Sequence, residues 1–598
     1  MTAVATLNEL FLAACARGKR EAILYPDGET YRPMSHAGYS DAVREVSFGL
    51  RALGMERGAK VAILAENSWK WTAADYAVLA AGGVTVPIYI TYPSDAVCDL
   101  LKRSHAWAIA ASNAAQLEKV IACRGQGNLP DLRHLVLLDD EDGRALAWEA
   151  LRQKGRAFAE EHGDDFEAVA RRAGPEDLAT LIYTSGTTGL PKGVMLTHGN
   201  IVSNATAALS VFDMCEDDTI LSFLPLSHIL ERMVNYAFFY AGCTIAYGRS
   251  METIPQDLRQ VRPTVFTAVP RLYEKTFAKV QEAAKNSPLK RAILRWAEAT
   301  AKAASTRRVE GRPLHPCFRP RYALARAVVF KKLLAGLGGR LRFCVAGGAP
   351  LSPRLAEFFI GAGVDIYEGY GLTETSPVVA ANCPGRRRIG SVGPVLPGVT
   401  VKLADDGEIL VKGPGVFGGY YEDAEATREA FDPDGFFKTG DVGRLDADGY
   451  LFITDRKKDI IVTAGGKNIA PQPIENRLKT LPGIQHAVMI GDRRPYPVVL
   501  LVPDFAWLDR WASDRGLGPA GPDGWGDHPE VRAHYASLVE EACAAFTPYE
   551  RPKKFALLPR DLSIEAGHLT PTLKVRRANV ARHFAPVIHS LYGPEEVP

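Results

Sequence analysis

Residues 183–193 (YTSGTTGLPKG) combine hydroxyl side chains, glycines and a lysine directly after an apolar run. Glycines let backbone N–H groups turn toward a ligand, and hydroxyls and an ammonium add donors, so this composition predicts a loop that binds phosphate oxygens. The spacing differs from Gly-x-x-x-x-Gly-Lys-[Ser/Thr], so the loop is not of the Walker type. A plain surface turn would not explain so many hydroxyls beside a lysine.

Five further charged or glycine-rich segments follow along the chain. They are residues 346–350 (AGGAP), 367–374 (YEGYGLTE), 439–441 (TGD), 455–469 (DRKKDIIVTAGGKNI) and 569–574 (LTPTLK). Together with residues 184–193, and in this order, they resemble the signature motifs of the acyl-adenylate-forming superfamily. Enzymes of this superfamily activate a carboxylic acid with ATP, and its CoA ligases then transfer the acyl group to coenzyme A.

The chemistry of adenylation explains why these residue types recur. A carboxylate attacks the α-phosphate of ATP, so two anions meet and negative charge grows on the phosphoryl oxygens. Catalysis therefore depends on positioning and on cationic stabilisation. The resemblance implies that Thr184 and Glu374 hold Mg²⁺, which prefers oxygen ligands. It also implies that Thr373 contacts the α-phosphate and that Lys574 neutralises the developing charge.

The resemblance extends to the nucleoside and to the second step. Tyr370 offers a face for adenine, and Asp441 accepts hydrogen bonds from the ribose hydroxyls. The C-terminal domain is expected to rotate after adenylation about Lys458. The cofactor-binding residues implied are Thr184, Ser185, Gly186, Thr187, Thr188, Gly189, Lys192, Gly348, Ala349, Glu368, Gly369, Tyr370, Gly371, Thr373, Asp441, Arg456, Lys458, Gly465 and Gly466.

Some of these assignments have simpler alternatives. Gly465 and Gly466 also fit an ordinary hairpin turn. Lys574 is chosen by its motif and not by its charge, since four other cations lie near it in sequence. These competitors are Lys553, Lys554, Arg576 and Arg577.

A second constellation surrounds His228 in residues 223–232 (FLPLSHILER). A histidine in an apolar strand-to-helix segment is ordinarily a hydrogen-bonded core residue. The resemblance implies instead that His228 lies where the carboxylate and pantetheine channels meet. The sequence of this segment resembles that of long-chain fatty-acid ligases more than that of acetate or aryl ligases. This indication of the substrate rests on family analogy alone.

The elements that must position these residues alternate between strand and helix patterns. Apolar runs at Lys60–Leu64, 85–89, 135–138, 178–183 and 264–268 predict buried strands, and residues 71–81 predict a helix. This rhythm is typical of an α/β fold with a parallel sheet. Dense glycine and proline between residues 385 and 421 predict a small β-barrel.

The length of 598 residues exceeds what a single hydrophobic core spans. We predict an N-terminal domain of residues 1–455, with α/β subdomains and the small β-barrel, and a mobile α+β domain of residues 456–598. Apolar residues form 47% of the chain, and the net charge of +2 gives no reason to expect nucleic acid. The nine cysteines lack metal-ligand spacing, and reduced thiols in a cytoplasmic protein are expected.

Residues 285–332 differ from the rest in carrying thirteen Lys or Arg against Glu298 and Glu310. Residues 290–301 fit a basic amphipathic helix with Ile293, Trp296 and Ala297 on one side. Two interpretations stay open: a solvated insertion, or peripheral contact with an anionic membrane. The most apolar stretch, residues 71–92, contains Asp75 and Pro87 and does not predict a spanning helix.

The sequence therefore predicts an AMP-forming ligase that uses a fatty acid, ATP, Mg²⁺ and coenzyme A. One alternative is a fatty-acyl-AMP ligase that delivers its acyl group to a carrier protein. Another is a non-catalytic acyl- or nucleotide-binding regulator, against which the presence of Thr184, Glu374 and Lys574 argues.

Overall fold

The computed structural model describes residues 4–125, 129–185, 191–285, 287–517, 521–570 and 574–592. The strands are β1 Ile23–Asp27, β2 Thr30–Met34, β3 Lys60–Leu64, β4 Val84–Pro87, β5 Ala106–Ala111, β6 His134–Leu137, β7 Leu146–Ala147, β8 Leu178–Ser185, β9 Pro191–Thr197, β10 Thr219–Ser222, β11 Thr244–Tyr247, β12 Val265–Ala268, β13 Phe343–Ala346, β14 Ile366–Gly371, β15 Val378–Ala381, β16 Gly393–Pro394, β17 Thr400–Leu403, β18 Glu408–Lys412, β19 Phe437–Leu445, β20 Tyr450–Arg456, β21 Ile461–Val462, β22 Asn468–Ile469, β23 Ile484–Ile490, β24 Val498–Pro503 and β25 Lys554–Leu557.

The helices connect these strands and cover their faces. They are α1 Leu7–Cys15, α2 His36–Ala52, α3 Trp69–Ala80, α4 Ser94–Arg103, α5 Ala114–Arg124, α6 Trp148–His162, α7 Phe166–Ala170, α8 His198–Val211, α9 Ile229–Tyr240, α10 Ile254–Val261, α11 Pro270–Ala284, α12 Pro288–Val309, α13 Arg319–Ala325, α14 Lys331–Gly336, α15 Pro353–Ala362, α16 Ala424–Ala430, α17 Pro471–Lys479, α18 Phe505–Ser513, α19 Gly521–Trp525, α20 Pro529–Cys543, α21 Arg577–His583 and α22 Ala585–Leu591. A π-helical segment, Arg326–Phe330, joins α13 to α14.

Two mainly parallel sheets form the framework of the N-terminal part. One has the strand order β7-β6-β5-β3-β4-β8-β9, the other β15-β14-β13-β12-β10-β11-β1-β2. Antiparallel strands occur only at the sheet ends among the pairings seen in the described residues: β9 on β8, β2 on β1 and β15 on β14. Strands such as β4 and β12 are buried along their whole length, as expected where helices cover both faces. The predicted α/β fold is confirmed.

Two almost fully buried helices join the sheets. Helix α3 lies against β3 and β4, and α9 lies against β10 and β11. Asp75 on α3 and Arg232 on α9 form an ion pair with side-chain exposures of 0% and 1%. Arg232 also donates through Nη1 to Thr180 Oγ1 on β8, at 2.7 Å. A buried charge is stable only when its hydrogen-bonding capacity is met, and Arg232 therefore fixes α3, α9 and β8 to one another.

The chain divides into two compact units by its internal contacts. The first comprises Met1–Lys402, Leu410–Thr439 and Asp446–Leu451, and the second Leu403–Ile409, Gly440–Leu445 and Phe452–Pro598. The division passes through the strands of a five-stranded sheet of order β16-β20-β19-β18-β17, the region predicted as a small β-barrel. Because segments alternate between units here, the boundary predicted at residue 455 stays a prediction.

The second unit contains a three-stranded sheet covered on both faces. Strand β24 pairs antiparallel with β23 and parallel with β25. Alternate residues of β24 contribute to separate cores: Val499 and Leu501 to one, Val498 and Leu500 to the other. This alternation is that of a strand with two apolar faces, and with helices α17–α22 it confirms the α+β character predicted for this part.

The described residues of the basic segment 285–332 are largely helical and belong to the first unit. Helix α12 buries Leu294, Ala297, Ala301 and Ala304, and it lies against α15. The predicted helix is confirmed, but its buried side is shifted, because Ile293 and Trp296 are only half-buried. Small side chains explain the shift, since they allow close approach of two helix backbones. At Gly361 of α15, an added Cβ would meet the Ala301 carbonyl.

Cys98 and Cys123 form a disulfide between the neighbouring helices α4 and α5. The prediction of reduced thiols is therefore wrong for this pair, while the other seven cysteines are free. The sequence carried no signal for the pairing, because the two residues are 25 positions apart in a chain with an odd number of cysteines. None of the described helices has the length and hydropathy needed to cross a bilayer.

Candidate active site

The predicted phosphate loop connects the two strands of an antiparallel hairpin. Thr184 of β8 is the Cα partner of Lys192 of β9, so a hydroxyl and an ammonium residue stand opposite each other at the open end of the ladder. Ser185 is the last residue of β8. The predicted residues Gly186, Thr187, Thr188 and Gly189 lie outside the described residues.

Glu374 lies in a short helical turn, Thr373–Thr375, that follows β14 and packs near β9. The Glu374 carbonyl accepts a hydrogen bond from the Phe417 N–H at 2.9 Å. Tyr370, Thr373 and Glu374 are all half-buried, so they are accessible to a ligand on this side of the strand.

Glu368 and Gly369 precede these residues on β14. Burial raises the pKa of Glu368 to about 8, although backbone N–H groups of Leu351 and Gly390 favour its charged form. The carboxyl is therefore largely protonated at neutral pH. A protonated carboxyl suits a structural role in β14 better than it suits binding of a cation.

Tyr420, which lies outside the six sequence motifs, connects the hairpin to Glu374. Its hydroxyl donates to Glu374 Oε1 at 3.2 Å, and the Lys192 ammonium lies 5.1 Å from its ring centroid. Burial, and then the Glu374 charge, raise the pKa of this phenol well above its usual range. The only sequence signal is a Gly-Gly-Tyr-Tyr run at residues 418–421, inside a region interpreted only as β-structure.

The predicted cofactor-binding residues Gly348 and Ala349 follow β13. Gly348 and Ala349 are both exposed, and Gly348 has a φ of +80°, which turns the chain sharply after the strand. The preceding Gly347 faces Leu230, whose Cδ2 would lie 3.0 Å from an added Cβ. This segment is thus close to the first turn of α9.

His228 is the N-cap residue of α9. Its Nδ1 accepts a hydrogen bond from the Leu230 N–H at 3.1 Å, which satisfies one of the helix donors that lack an internal partner. The side chain is half-buried. The helix that carries Arg232 therefore also fixes His228.

A buried carboxyl lies one turn beyond His228. Glu231 accepts a hydrogen bond from Ser222 Oγ at 2.6 Å, and Asn235 Nδ2 donates to the same hydroxyl at 3.1 Å. Burial raises the pKa of Glu231 to about 8. Sequence reasoning missed this group, because its burial follows from the fold and not from the local pattern.

In the second unit, the predicted ribose residue Asp441 contacts Arg456, another of the predicted cofactor-binding residues. Arg456 Nε lies 3.1 Å from Asp441 Oδ1, and Asp441 is 4% exposed. The adjacent Lys457 pairs with Asp406 and Glu408 at 2.6 and 2.9 Å. These pairs fix the charged segment that begins at Asp455. Burial raises the pKa of Asp455 to about 6.

Gly465 and Gly466 form the exposed turn of the β21–β22 hairpin, with Gly466 at a φ of +72°. The simpler alternative, a hairpin turn, is therefore present, and a role in ligand binding stays a prediction. Lys458, the predicted pivot, lies in the turn after β20.

Lys574 is exposed, and its backbone is fixed by Thr570. The Lys574 N–H donates to Thr570 Oγ1 at 3.0 Å, and its carbonyl accepts from the Thr570 N–H at 2.8 Å. One of its sequence competitors is excluded, because Arg577 is paired with Glu475 and donates to the Met489 carbonyl. Residues 571–573 lie outside the described part of the chain.

The donors near the hairpin fit a hard cation. A threonine hydroxyl and a carboxylate supply oxygen, which Mg²⁺ prefers. Within the described residues, no cluster of three or more His, Cys, Asp and Glu side chains could hold a metal.

Comparisons with known proteins extend over nearly the whole chain. Residues 11–421 match the AMP-binding enzyme family, and residues 458–596 match the AMP-binding enzyme C-terminal domain. The chain is 39% identical to the long-chain-fatty-acid–CoA ligase FadD15 of Mycobacterium bovis, over 93% of this chain and 92% of that protein. It is 32% identical to the long-chain-fatty-acid–CoA ligase 1 of Homo sapiens, over 93% and 82%.

Solved structures of low sequence identity share the fold. The adenylation domain of a carboxylate reductase from Mycobacterium chelonae has a TM-score of 0.76 at 23% identity, covering 98% of this chain and 91% of that one. The anthranilate CoA ligase AuaEII, in complex with anthranoyl-AMP, has a TM-score of 0.72 at 20% identity, covering 99% of both chains. The family matches confirm what the six sequence motifs predicted: the chain belongs to the AMP-binding enzymes, the acyl-adenylate-forming superfamily.

Proposed function

We propose that this enzyme activates a long-chain fatty acid with MgATP and transfers the acyl group to coenzyme A. The observation that carries the proposal is the arrangement of Thr184 opposite Lys192, with Glu374 joined to the same strand pair through Tyr420. It offers a cation, a hydroxyl and a carboxylate at the mouth of one loop, which is the donor set that a nucleoside triphosphate and its metal require.

In the first step, a carboxylate oxygen of the fatty acid attacks the α-phosphorus of ATP. A bond forms between this oxygen and phosphorus while the bond to the β-phosphate bridging oxygen breaks, and pyrophosphate leaves with the electron pair. Thr373 is proposed to bind the α-phosphate, and Lys574 to neutralise its growing charge. Mg²⁺, held by Thr184 and Glu374, would screen the phosphate charges when bound.

Several residues are proposed to bind the nucleoside. Tyr370 stacks on adenine, and Gly348 and Ala349 leave space for the ring. The Asp441 carboxylate accepts hydrogen bonds from the ribose hydroxyls, and Arg456 keeps that carboxylate oriented through the contact described above.

In the second step, the sulfur of coenzyme A attacks the acyl carbon. The bond between that carbon and the AMP oxygen breaks, AMP leaves with the electron pair, and the thiol proton passes to solvent. We propose that the C-terminal domain, taken as residues 456–598, rotates about Lys458 between the steps. The Gly465–Gly466 turn would then replace Lys574 beside the adenylate, and the bare backbone of a glycine turn suits such an approach.

The fatty-acid substrate is proposed from the relatives and from the surroundings of His228. The relatives named above are long-chain-fatty-acid–CoA ligases. His228 caps α9 and lies in sequence between the buried Leu226 and Ile229, so an acyl chain near His228 would meet apolar walls. Each methylene moved from water to such walls contributes about 0.8 kcal/mol.

The deciding experiment measures kcat/KM for saturated acids from about C4 to C18, with ATP, Mg²⁺ and coenzyme A. We expect a gain of roughly three- to fourfold per carbon that levels off at long chains, because the apolar contact persists in the transition state. A maximum at short chains or a preference for aryl acids would contradict the substrate assignment. Formation of acyl-AMP without acyl-CoA would favour the carrier-protein alternative.

We also propose that α12–α14 contact an anionic membrane surface. Leu289, Leu324 and Val328 are 69%, 57% and 43% exposed, and they lie among exposed cations. Leu324 and Val328 are one helical turn apart and so share a side of their segment. Exposed aliphatic side chains surrounded by lysine and arginine match the interface of an anionic bilayer, from which a fatty acid would be taken.

A further inference from the structure

Tyr420 lies where three segments of the first unit converge. Its backbone forms a β-bridge with Val194 of β9, and its N–H donates to Thr427 Oγ1 at 2.9 Å. On one side of it, the Phe417 N–H binds the Glu374 carbonyl; on the other, the Tyr421 N–H binds the Gly193 carbonyl at 2.8 Å. The segment 417–421 therefore bridges the phosphate hairpin and the turn that carries Glu374.

The side chain of Tyr420 contacts two groups of opposite charge. Its hydroxyl donates to Glu374 Oε1 at 3.2 Å, and its ring lies 5.1 Å from the Lys192 ammonium. The ring packs edge-on against Phe417 with centroids 4.9 Å apart, so it has little freedom to rotate. A hydrogen bond on one carboxylate oxygen restricts the rotation of the carboxylate and fixes the direction of the other oxygen.

We propose that Tyr420 is a positioning residue for the metal and phosphate site. Its hydroxyl orients the Glu374 carboxylate for Mg²⁺, and its ring face places the Lys192 ammonium for the phosphate chain of ATP. This inference rests on the proposed function, because it takes Glu374 as a Mg²⁺ ligand and Lys192 as a phosphate ligand. Tyr420 lies outside the six motifs. Its hydroxyl and its ring have different roles, which can be tested separately.

Two substitutions separate the roles. Tyr420→Phe removes the hydroxyl and keeps the ring, so the Lys192 contact remains and the Glu374 carboxylate loses the hydrogen bond from Tyr420. Tyr420→Leu removes both. Loss of a hydrogen bond to a metal-ligating carboxylate typically lowers metal affinity by about 10- to 100-fold. Loss of a cation–π contact at a partly exposed site lowers affinity by less, on the order of two- to fivefold.

The primary measurement is equilibrium binding of ATP by calorimetry across a Mg²⁺ titration, without any carboxylic acid, so that no turnover occurs. We expect Tyr420→Phe to raise the Mg²⁺ concentration required for half-maximal binding by about tenfold, while the affinity at saturating Mg²⁺ stays within about twofold of wild type. Tyr420→Leu should add a loss of up to about fivefold that saturating Mg²⁺ does not restore.

Tyr421→Phe is the matched control, because it removes the neighbouring phenol, whose ring faces Lys60 and whose hydroxyl bonds to Glu422. It should leave the Mg²⁺ dependence unchanged. An unchanged Mg²⁺ dependence in Tyr420→Phe, or an equal change in Tyr421→Phe, would overturn the inference. If wild type itself showed no Mg²⁺-dependent ATP binding, the proposed function would fail instead. If Tyr420→Leu does not fold, Tyr420→Phe alone decides the metal role.

Discussion

Two carboxyl groups, those of the buried Glu231 and the half-buried Glu368, hold their protons at a pH where ordinary glutamates have lost them. Their pKa values of about 8 lie above the usual 4.5, and burial is the main cause. At a pH between 4.5 and about 8, each carboxyl is protonated in the folded state and ionised in the unfolded state. The free energy of unfolding therefore falls as the pH rises from about 5 to 8, by at most about 1.4 kcal/mol per pH unit for each group.

Glu231→Gln should remove about half of this pH dependence. The amide is neutral at every pH and keeps an oxygen to accept the Ser222 hydrogen bond. The measurement is the denaturant-unfolding free energy at pH 5, 6, 7 and 8. Glu429→Gln, at an exposed position on α16, is the control and should leave the slope unaltered. Identical slopes in wild type and Glu231→Gln would show that Glu231 is charged in the folded state.

For single residues, the sequence indicated which side chains belong to the candidate site, but it did not indicate which contacts they make. Thr184, Lys192 and Glu374 were identifiable because phosphate and metal chemistry demand their side chains. Tyr420 was not, because its importance depends on a bridge to Val194, more than 200 positions away, which no local pattern encodes. The roles assigned to the identified residues stay predictions.

At the scale of elements, the packing of α12 on α15 depends on the absence of a side chain at Gly361. Gly361→Ala should force the two helices apart, because the new Cβ meets a backbone carbonyl that cannot rotate away. Overpacking of this kind typically destabilises by about 1–3 kcal/mol. The expected result is a lower denaturant midpoint.

Gly336→Ala is the matched control for that substitution. Gly336 ends α14, and an added Cβ there meets nothing within 4 Å. Alanine should therefore be neutral or stabilise by up to about 1 kcal/mol, because it restricts the unfolded chain. Equal midpoints for the two variants would mean that α12 and α15 can separate without loss.

The same helices allow a sharp test of membrane contact. Lys290 and Arg295 are exposed, whereas Arg308 lies 3.5 Å from Asp365, and Arg291 and Arg307 donate to the carbonyls of Lys285 and Pro313. Neutralising Lys290 and Arg295 to glutamine should weaken binding to anionic vesicles, and wild-type binding should fall as salt rises, since the Debye length shortens to about 3 Å at 1 M.

Neutralising Arg307 and Arg308 serves as the comparison, with a smaller effect expected because both are already engaged within the protein. Leu289→Ser should weaken vesicle binding at every salt concentration, because it removes an apolar contact and not a charge. Binding that is insensitive to salt and to these substitutions would leave the segment as a solvated insertion.

Helices and strands were predictable from the sequence where both of their faces are buried. Strand β3 was predicted at its observed bounds, because a strand covered on both faces is a continuous apolar run. The buried side of α12 was predicted less well. Large apolar residues are a natural guide to a buried face, but here alanines pack closest to the neighbouring helix.

For the whole molecule, the central prediction is that the two half-reactions can be separated. Lys574→Ala should lower acyl-AMP formation by about 10²-fold or more, the scale of removing one group that stabilises transition-state charge. It should still convert supplied acyl-AMP and coenzyme A to acyl-CoA, because Lys574 is assigned only to adenylation. Single-turnover assays of each step give the measurement.

Lys553→Ala, which removes an exposed lysine of the same unit, should affect neither step. Equal loss of both activities in Lys574→Ala would contradict the alternation of domains. The two-domain organisation was predictable from length and motif order. The division between units was not, because it passes through the strands of one sheet and leaves no change in composition to mark it.

His228 caps the N-terminus of α9, and this hydrogen bond restricts the acid–base chemistry of the His228 ring. With Nδ1 accepting from the Leu230 N–H, the neutral ring carries its proton on Nε2. Such a ring offers a donor to a carboxylate or thioester oxygen and has no basic nitrogen left with which to deprotonate a thiol. A ¹⁵N NMR spectrum showing the Nε2–H tautomer would support this. In the proposed acyl transfer, we therefore expect solvent to remove the thiol proton and His228 to donate a hydrogen bond to the acyl oxygen.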